Sequence, residues 1–231
     1  MLATDADTYA HHAAGGQMKN IVIFGDSYST HENAIPKEYK TYYSDKGRVQ
    51  GPEVTRLKME DTWWYRYISH VGGKLLRNDS WSGSTIGYTG FNGEDCSKSF
   101  SFIYRYRNLK KSGFFEQNKV DTVLVFGGTN DSWSDAPLGE IKFSDWQEQD
   151  LFFVLPAISY FAYTLKTDLP EAEIVFVINT DIKEEVKNCI EEVTKYYGFK
   201  SVRLQDISKD CAHPTATGML QISEQLIKHL G

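Results

Sequence analysis

The chain has 231 residues, a formal net charge of −6 at pH 7 and a hydrophobic fraction of 41%. This length suffices for one domain with a sizeable core, and no linker or change in composition divides it. The basic residues are scattered, which argues against nucleic acid or an anionic membrane as the main partner. No apolar stretch approaches the roughly 20 residues that span a bilayer. A small uncharged substrate fits this composition better.

The first 17 residues carry acids and histidines where a signal peptide has basic and apolar regions. We expect 1–17 to be a disordered leader or a cloning remnant, and 18–231 to form one domain of unknown oligomeric state. The three cysteines are too widely spaced for a disulfide framework or a Cys-x-x-Cys metal site. The default location is therefore the reducing cytoplasm, or outside the cell if a signal has been removed.

Short apolar runs alternate with amphipathic stretches about five times along the chain. The predicted strands are NIVIF, KLLRNDSW, TVLVF, EIVFVI and FKSVRL. Helices are predicted near 62–71, 99–110 and 144–166, and over 214–230. Another helix is predicted to begin at a capping box formed by Asp181 and Glu184 and to end at Tyr197. Strands as uniformly apolar as TVLVF belong in a parallel sheet covered on both faces. The sequence thus predicts a three-layer α/β/α sandwich around a mostly parallel sheet of about five strands.

The segment 30–61 is polar, contains several tyrosines and lacks clear periodicity. Long loops in compact domains are usually functional or mobile. Ligands of parallel α/β sheets bind beyond the carboxyl ends of the strands. We therefore expect this segment to be an insertion over a site at that edge.

The first predicted strand breaks off into Gly25, Asp26 and Ser27. Gly25 lets the backbone turn sharply, and Ser27 then stands at the carboxyl end of the strand, where a nucleophile would be placed. A Gly-Asp-Ser at this point is also a common turn and helix cap. Taken alone, the motif leaves both interpretations open.

A serine nucleophile needs a base, and the base usually needs an orienting partner. Asp210 and His213 follow the last predicted strand, in the stretch DCAHP. One turn would bring the carboxylate to one imidazole nitrogen while the other nitrogen faces the sheet edge. The alternative is a capped loop with a surface histidine.

Two further stretches end at the same edge of the predicted sheet. Gly83, in SWSGSTIG, lacks a Cβ and so lets a backbone N–H approach a substrate closely, and Asn130, in FGGTND, offers a side-chain amide. Both groups are suited to stabilising an oxyanion. Separately, each is equally compatible with an ordinary loop glycine and a turn asparagine.

Taken in order, these blocks resemble the SGNH hydrolases, also called GDSL esterases and lipases. The matching residues are Gly25-Asp26-Ser27, Gly83, Gly128-Thr129-Asn130-Asp131 and Asp210-Cys211-Ala212-His213-Pro214. The resemblance implies a flavodoxin-like sheet and a serine esterase that forms an acyl-enzyme without a metal or organic cofactor. It implies Ser27 as nucleophile, His213 as general base and then acid, and Asp210 as the orienting carboxylate. The implied oxyanion hole consists of the Ser27 and Gly83 backbone N–H groups and the Asn130 side chain.

Two departures from the family pattern stand near the implied triad. Tyr28 follows the serine where the family often has leucine, a change expected to matter little. Cys211 adjoins the implied carboxylate, so that its oxidation would disturb Asp210. Asp26 and Asp131 are expected to hold loop backbone, and Asp26 is also a candidate substrate contact.

The remaining histidines give no metal site. His31, His70 and His229 are expected on the surface or on helix faces, because no acidic or cysteine cluster accompanies them at metal-ligand spacing. The chain also lacks a Gly-x-Ser-x-Gly elbow, a Walker A loop and a His-Glu-x-x-His motif.

The substrate is predicted to be a short-chain ester on a polar carrier, with an O-acetylated carbohydrate as the first candidate. Tyr39, Tyr42 and Trp63 lie in or beside the 30–61 segment among charged residues, as in a sugar-binding rim. These aromatics would equally serve to fasten the segment to the domain. A lipase, a thioesterase, an acyltransferase and a non-catalytic binding module remain alternatives.

Overall fold

The computed structural model describes residues 18–49 and 51–231, so the predicted leader 1–17 lies outside the described residues. Five strands form one parallel sheet in the order β2-β1-β3-β4-β5. The strands are β1 (Asn20–Gly25), β2 (Lys74–Ser80), β3 (Thr122–Phe126), β4 (Glu173–Ile178) and β5 (Lys200–Arg203). The predicted α/β fold and its flavodoxin-like strand order are confirmed.

Alternate residues of each central strand enter two separate apolar cores. In β1, Val22 and Phe24 face one core, while Ile21 and Ile23 face the other. Every residue of β3 is buried. This two-sided burial explains why these strands are apolar throughout instead of alternating with polar residues.

Helices cover both faces of the sheet. They are α1 (Trp63–His70), α2 (Phe102–Lys111), α3 (Phe114–Gln117), α4 (Thr129–Trp133), α5 (Val154–Asp168), α6 (Glu184–Tyr197) and α7 (Ala216–Leu230). Buried residues of α2, α5 and α6 pack in one core, and those of α1 and α7 pack in the other. In the part of the chain that the structure describes, no helix is long and apolar enough to cross a bilayer.

Two predicted helix starts are wrong. The helix predicted from residue 144 begins at Val154, after a separate 3₁₀ helix over Glu148–Phe152. Pro156 lies in the first turn of α5, where its missing N–H has no intrahelical partner to lose. The helix predicted from Pro214 begins at Ala216, because Thr215 caps it by accepting from the Gly218 N–H at 3.1 Å.

The predicted capping box at α6 is also wrong. The helix is preceded by Lys183, which makes no side-chain cap hydrogen bond. The Asp181 carboxylate instead accepts from Lys209 Nζ at 2.7 Å. A tertiary ion pair has therefore taken the side chain that the local motif would use.

A buried ion pair joins α2 to the carboxyl end of β2. Arg105 is 2% exposed, and its Nη1 donates to the Asp79 carboxylate and to the Asp79 carbonyl. Its Nη2 donates to the Gly25 carbonyl and to Ser84 Oγ, both at 3.2 Å, and its Nε donates to the Phe100 carbonyl at 2.9 Å. Each guanidinium nitrogen thus has an acceptor, which a buried charge requires.

We expect Arg105→Met to lower the free energy of unfolding by about 3 kcal/mol, measured by urea denaturation. Breaking a buried pair costs roughly 3–5 kcal/mol, and the lower end applies because Arg77 Nη2 still contacts Asp79 at 3.0 Å. The matched control is Lys183→Met, which removes an exposed pair with Asp135 and should cost less than about 1 kcal/mol. Equal stability of the two variants would contradict the prediction.

Candidate active site

Ser27 lies just beyond the carboxyl end of β1, in a 3₁₀ turn over Ser27–Ser29. The preceding Gly25 has no room for a side chain, because a Cβ there would lie 2.5 Å from Ser80 Oγ. Asp26 caps the turn by accepting from the Tyr28 N–H at 3.0 Å. Ser27 is 4% exposed, so only a small part of it opens to solvent.

The antiparallel pair β6 (Lys209–Asp210) and β7 (His213–Pro214) brings His213 to this serine. The imidazole Nε2 lies 3.0 Å from Ser27 Oγ, and Nδ1 lies 2.9 Å from the Cys211 carbonyl. A carbonyl can only accept, so Nδ1 carries the proton in the neutral ring and Nε2 is free to accept from the serine hydroxyl. Burial is the main cause that lowers the pKa of His213.

Asp210 is not brought to the imidazole, contrary to the implied triad. Cys211 and Ala212 have φ of 46° and 63°, which gives the tight two-residue turn typical of a β-hairpin. In this turn Cys211 presents its carbonyl to Nδ1, while the Asp210 carboxylate is exposed and lies beside the Cys211 thiol. That carboxylate raises the pKa of Cys211, which disfavours the reactive thiolate.

Gly83 lies in a loop that the start of α4 holds in place. Asn130 Nδ2 donates to the Ser84 carbonyl at 2.9 Å, and the buried Asp131 accepts from the Ile86 and Gly87 N–H groups. Gly83 has φ of 88°, and a Cβ there would have no atom within 4 Å. Its left-handed backbone by itself favours glycine at this position, and the close approach of its N–H to a substrate stays a prediction.

Asp26 is fully buried, so it makes no substrate contact, and this part of the prediction is wrong. Its bond to the Tyr28 N–H agrees with the expected role of holding loop backbone. Burial raises the pKa of Asp26 to about 7 and that of Asp131 to about 6. Two buried carboxyl groups therefore flank the site without contacting the imidazole.

The three aromatic residues predicted to contact substrate have different positions. Trp63 is fully buried and donates to the Tyr28 carbonyl at 3.1 Å, so it is a core residue and that prediction is wrong. Tyr42 stacks on the His213 ring, with centroids 3.6 Å apart and planes 9° apart. Tyr39 is half-buried and lies against Trp81, with ring centroids 4.7 Å apart.

Sequence reasoning missed several residues that shape the site. The Tyr28 hydroxyl donates to the Ala212 carbonyl at 2.5 Å, a bond that the leucine often found after the serine in this family could not make. The position of Tyr28 directly after Ser27 in the sequence could have indicated that it shapes the site. Arg105 gave no signal, because nothing in an amphipathic helix marks which arginine is buried.

His31 is buried in a loop, whereas it was predicted on the surface or on a helix face. Its Nε2 lies 2.9 Å from the Leu57 carbonyl, and its Nδ1 accepts from the Asn33 N–H at 3.3 Å. The ring therefore fastens the 30–61 segment internally. Within residues 18–49 and 51–231, no group of three or more His, Cys, Asp and Glu side chains is placed to hold a metal ion.

Comparison with known proteins gives consistent matches. A family model for GDSL-like lipase/acylhydrolase matches residues 19–230. A protein described as a GDSL-like lipase from Bacteroides ovatus is 35% identical, with a TM-score of 0.84 over 93% of this chain and 99% of that chain. A second, from Bacteroides uniformis, is 37% identical, with a TM-score of 0.83 over 92% of this chain and 95% of that chain.

More distant structures share the fold. A family two carbohydrate esterase from Cellvibrio japonicus is 17% identical, with a TM-score of 0.64 over 92% of this chain and 60% of that chain. The comparison with curated proteins gives no match. The fold is therefore common to proteins whose sequences have diverged widely.

We expect Asp26→Asn to flatten the pH dependence of stability. Because the folded pKa of about 7 exceeds the ordinary value of 3.8, the protonated carboxyl stabilises the fold below about pH 4, and this contribution is lost as the pH rises through 7. Urea denaturation at pH values between about 4 and 7 measures the slope of the free energy of unfolding against pH. The surface variant Asp206→Asn is the control and should keep the wild-type slope. A wild-type slope in Asp26→Asn would contradict the prediction.

Proposed function

Because this chain belongs to the GDSL-like lipase/acylhydrolase family, a family of ester hydrolases, we propose that it is a serine esterase that removes acetyl groups from O-acetylated carbohydrate. The observation that carries the proposal is the 3.0 Å contact between Ser27 Oγ and His213 Nε2. A hydroxyl within hydrogen-bond reach of an imidazole nitrogen is the arrangement that activates a serine nucleophile.

The reaction proceeds in two steps through an acyl-enzyme. Ser27 Oγ attacks the ester carbonyl while its proton passes to His213 Nε2, and the imidazolium then protonates the departing alcohol. A water molecule next gives its proton to Nε2 and its oxygen attacks the acyl carbon. The bond between this carbon and Ser27 Oγ then breaks, Nε2 returns the proton to Oγ, and the carboxylic acid leaves. Cys211 contributes its backbone carbonyl, which accepts from Nδ1–H and orients the ring in both steps.

The oxyanion is stabilised by the Ser27 and Gly83 backbone N–H groups and by the Asn130 amide. Asn130 Nδ2 uses one of its two hydrogens on the Ser84 carbonyl, which leaves the other for the developing charge. Arg105 supports this hole indirectly, since it donates to Ser84 Oγ at 3.2 Å.

The surroundings of Ser27 favour a small acyl group on a sugar. Ser27 and Asn130 are each 4% exposed, whereas a long acyl chain needs a continuous apolar groove. Trp81 adjoins the Gly83 loop and forms a half-buried aromatic surface with Tyr39. The guanidinium carbon of Arg77 borders this surface, 5.6 Å from the centroid of the Tyr39 ring. Aromatic rings beside polar groups suit the faces and hydroxyls of a pyranose.

We expect Ser27→Ala and His213→Ala each to lose at least about 10³-fold in kcat on p-nitrophenyl acetate. Asp210→Asn should lose less than about tenfold, because this carboxylate does not contact the imidazole. In a Ser-His-Asp triad the same change costs about 10⁴-fold. A fluorophosphonate should label the wild type and Asp210→Asn but not Ser27→Ala.

Two outcomes would contradict this assignment. A loss near 10⁴-fold in Asp210→Asn would restore Asp210 as the orienting group. Full turnover in Ser27→Ala would exclude the acyl-enzyme itself.

Hydrolysis should fall steeply from acetyl and propionyl to octanoyl esters of p-nitrophenol. Acetate should be released from acetylated xylo-oligosaccharide, and Trp81→Ala should raise KM for that substrate more than for p-nitrophenyl acetate. The matched control is Trp146→Ala, which removes an aromatic ring that contacts Tyr160 and Tyr163 instead. A preference for octanoyl esters would indicate a lipase or thioesterase.

A further inference from the structure

The His213 imidazole contacts two aromatic rings. Tyr42 stacks flat on it at a centroid distance of 3.6 Å, and Tyr28 lies 5.4 Å away at an angle of 55°. The bond from Nδ1 to the Cys211 carbonyl would by itself allow the ring to turn about that bond. The flat stack removes this freedom and keeps Nε2 directed at Ser27.

Arg48 lies over the same tyrosine ring. Its guanidinium carbon is 4.7 Å from the Tyr42 centroid, and the imidazole already occupies one face, so the guanidinium covers the other. Arg48 is itself fixed, because its backbone N–H donates to Thr55 Oγ1 at 2.9 Å and its Nη2 donates to the Thr41 carbonyl at 2.5 Å. The result is a three-layer stack of guanidinium, phenol and imidazole.

We propose that Tyr42 and Arg48 are positioning residues for the general base, an inference that rests on the proposed function. Their stack fixes the plane of the His213 ring, a task that the carboxylate performs in a Ser-His-Asp triad. Neither side chain touches the reacting atoms. Part of the 30–61 segment therefore serves the base rather than the substrate.

The charges around the imidazole give this stack a measurable signature. The titratable groups around the stacked rings of His213 and Tyr42 are Tyr28, Arg48, Lys209, Asp210 and Cys211, of which Asp210 acts on Tyr42. Burial is the largest cause that lowers the pKa of His213, and the positive charges of Arg48 and Lys209 act in the same direction. Only the neutral imidazole can accept the Ser27 proton. Loss of the Arg48 charge should therefore move the acid limb of the activity profile to higher pH.

The test is the pH profile of kcat and KM on p-nitrophenyl acetate for four variants. Tyr42→Leu should lose about 10- to 100-fold in kcat with little change in KM, because the base is no longer aligned. Tyr42→Phe keeps the ring and should restore kcat to within about threefold of the wild type. Arg48→Met should move the acid limb upward by roughly a few tenths of a pH unit, since Arg48 is exposed and screened. The remote Tyr163→Leu is the control and should behave as the wild type.

Several outcomes would overturn the inference. The inference is wrong if Tyr42→Leu keeps the kcat and the acid limb of the wild type. It is also wrong if Tyr42→Leu raises KM alone, because Tyr42 would then be a substrate contact. If circular dichroism shows that Tyr42→Leu does not fold, the surface variant Arg48→Met decides, and an unchanged acid limb overturns the inference. Failure of the proposed function is seen separately, as full activity in Ser27→Ala.

Discussion

The Arg105 guanidinium is the interaction on which the rest of the site depends. It lies between the ends of β1 and β2 and donates to Asp79, Gly25 and Ser84. Removing a charge from water costs several kcal/mol, so the guanidinium is tolerated there only because its nitrogens all find acceptors. The same bonds set the spacing between the strand end that precedes Ser27 and the loop that contains Gly83. An apolar core would bring these segments together but would not fix their relative orientation.

The other half of the site comes from the opposite end of the chain and is held both through the Lys209 side chain and through backbone carbonyls. Lys209 Nζ donates to Asn179 Oδ1 at 2.9 Å, which anchors the hairpin beyond the end of β4. The Tyr28 and Tyr43 hydroxyls donate to the carbonyls of Ala212 and Pro214. These bonds act on the main chain on both sides of His213. The imidazole is thus located by the hairpin as a whole rather than by a single side-chain partner.

The parts of the structure that could be predicted from sequence are those with a local physical cause. TVLVF reads as a buried parallel strand because two-sided burial leaves no polar position, and Ser27 follows from the glycine turn after β1. The predictions that failed concern features that depend on tertiary contacts. Spacing alone cannot show whether a turn carries Asp210 toward His213 or away from it, and the capping box at Asp181 was lost to a lysine distant in sequence. Burial of Trp63 and of Arg105 likewise depends on which face of a helix the rest of the fold covers.

The use of the Cys211 carbonyl as the partner of Nδ1 affects how freely this enzyme can change by mutation. Every amino acid has a carbonyl, so substitution at this position leaves the acceptor in place. What the position demands is a backbone with φ of 46°, followed by one of 63° at Ala212. Such angles suit glycine, asparagine and aspartate best. In a triad one carboxylate is the partner of the imidazole, whereas the partner of the His213 Nδ1 is supplied by the shape of a turn, so the side chains of that turn can change without removing it.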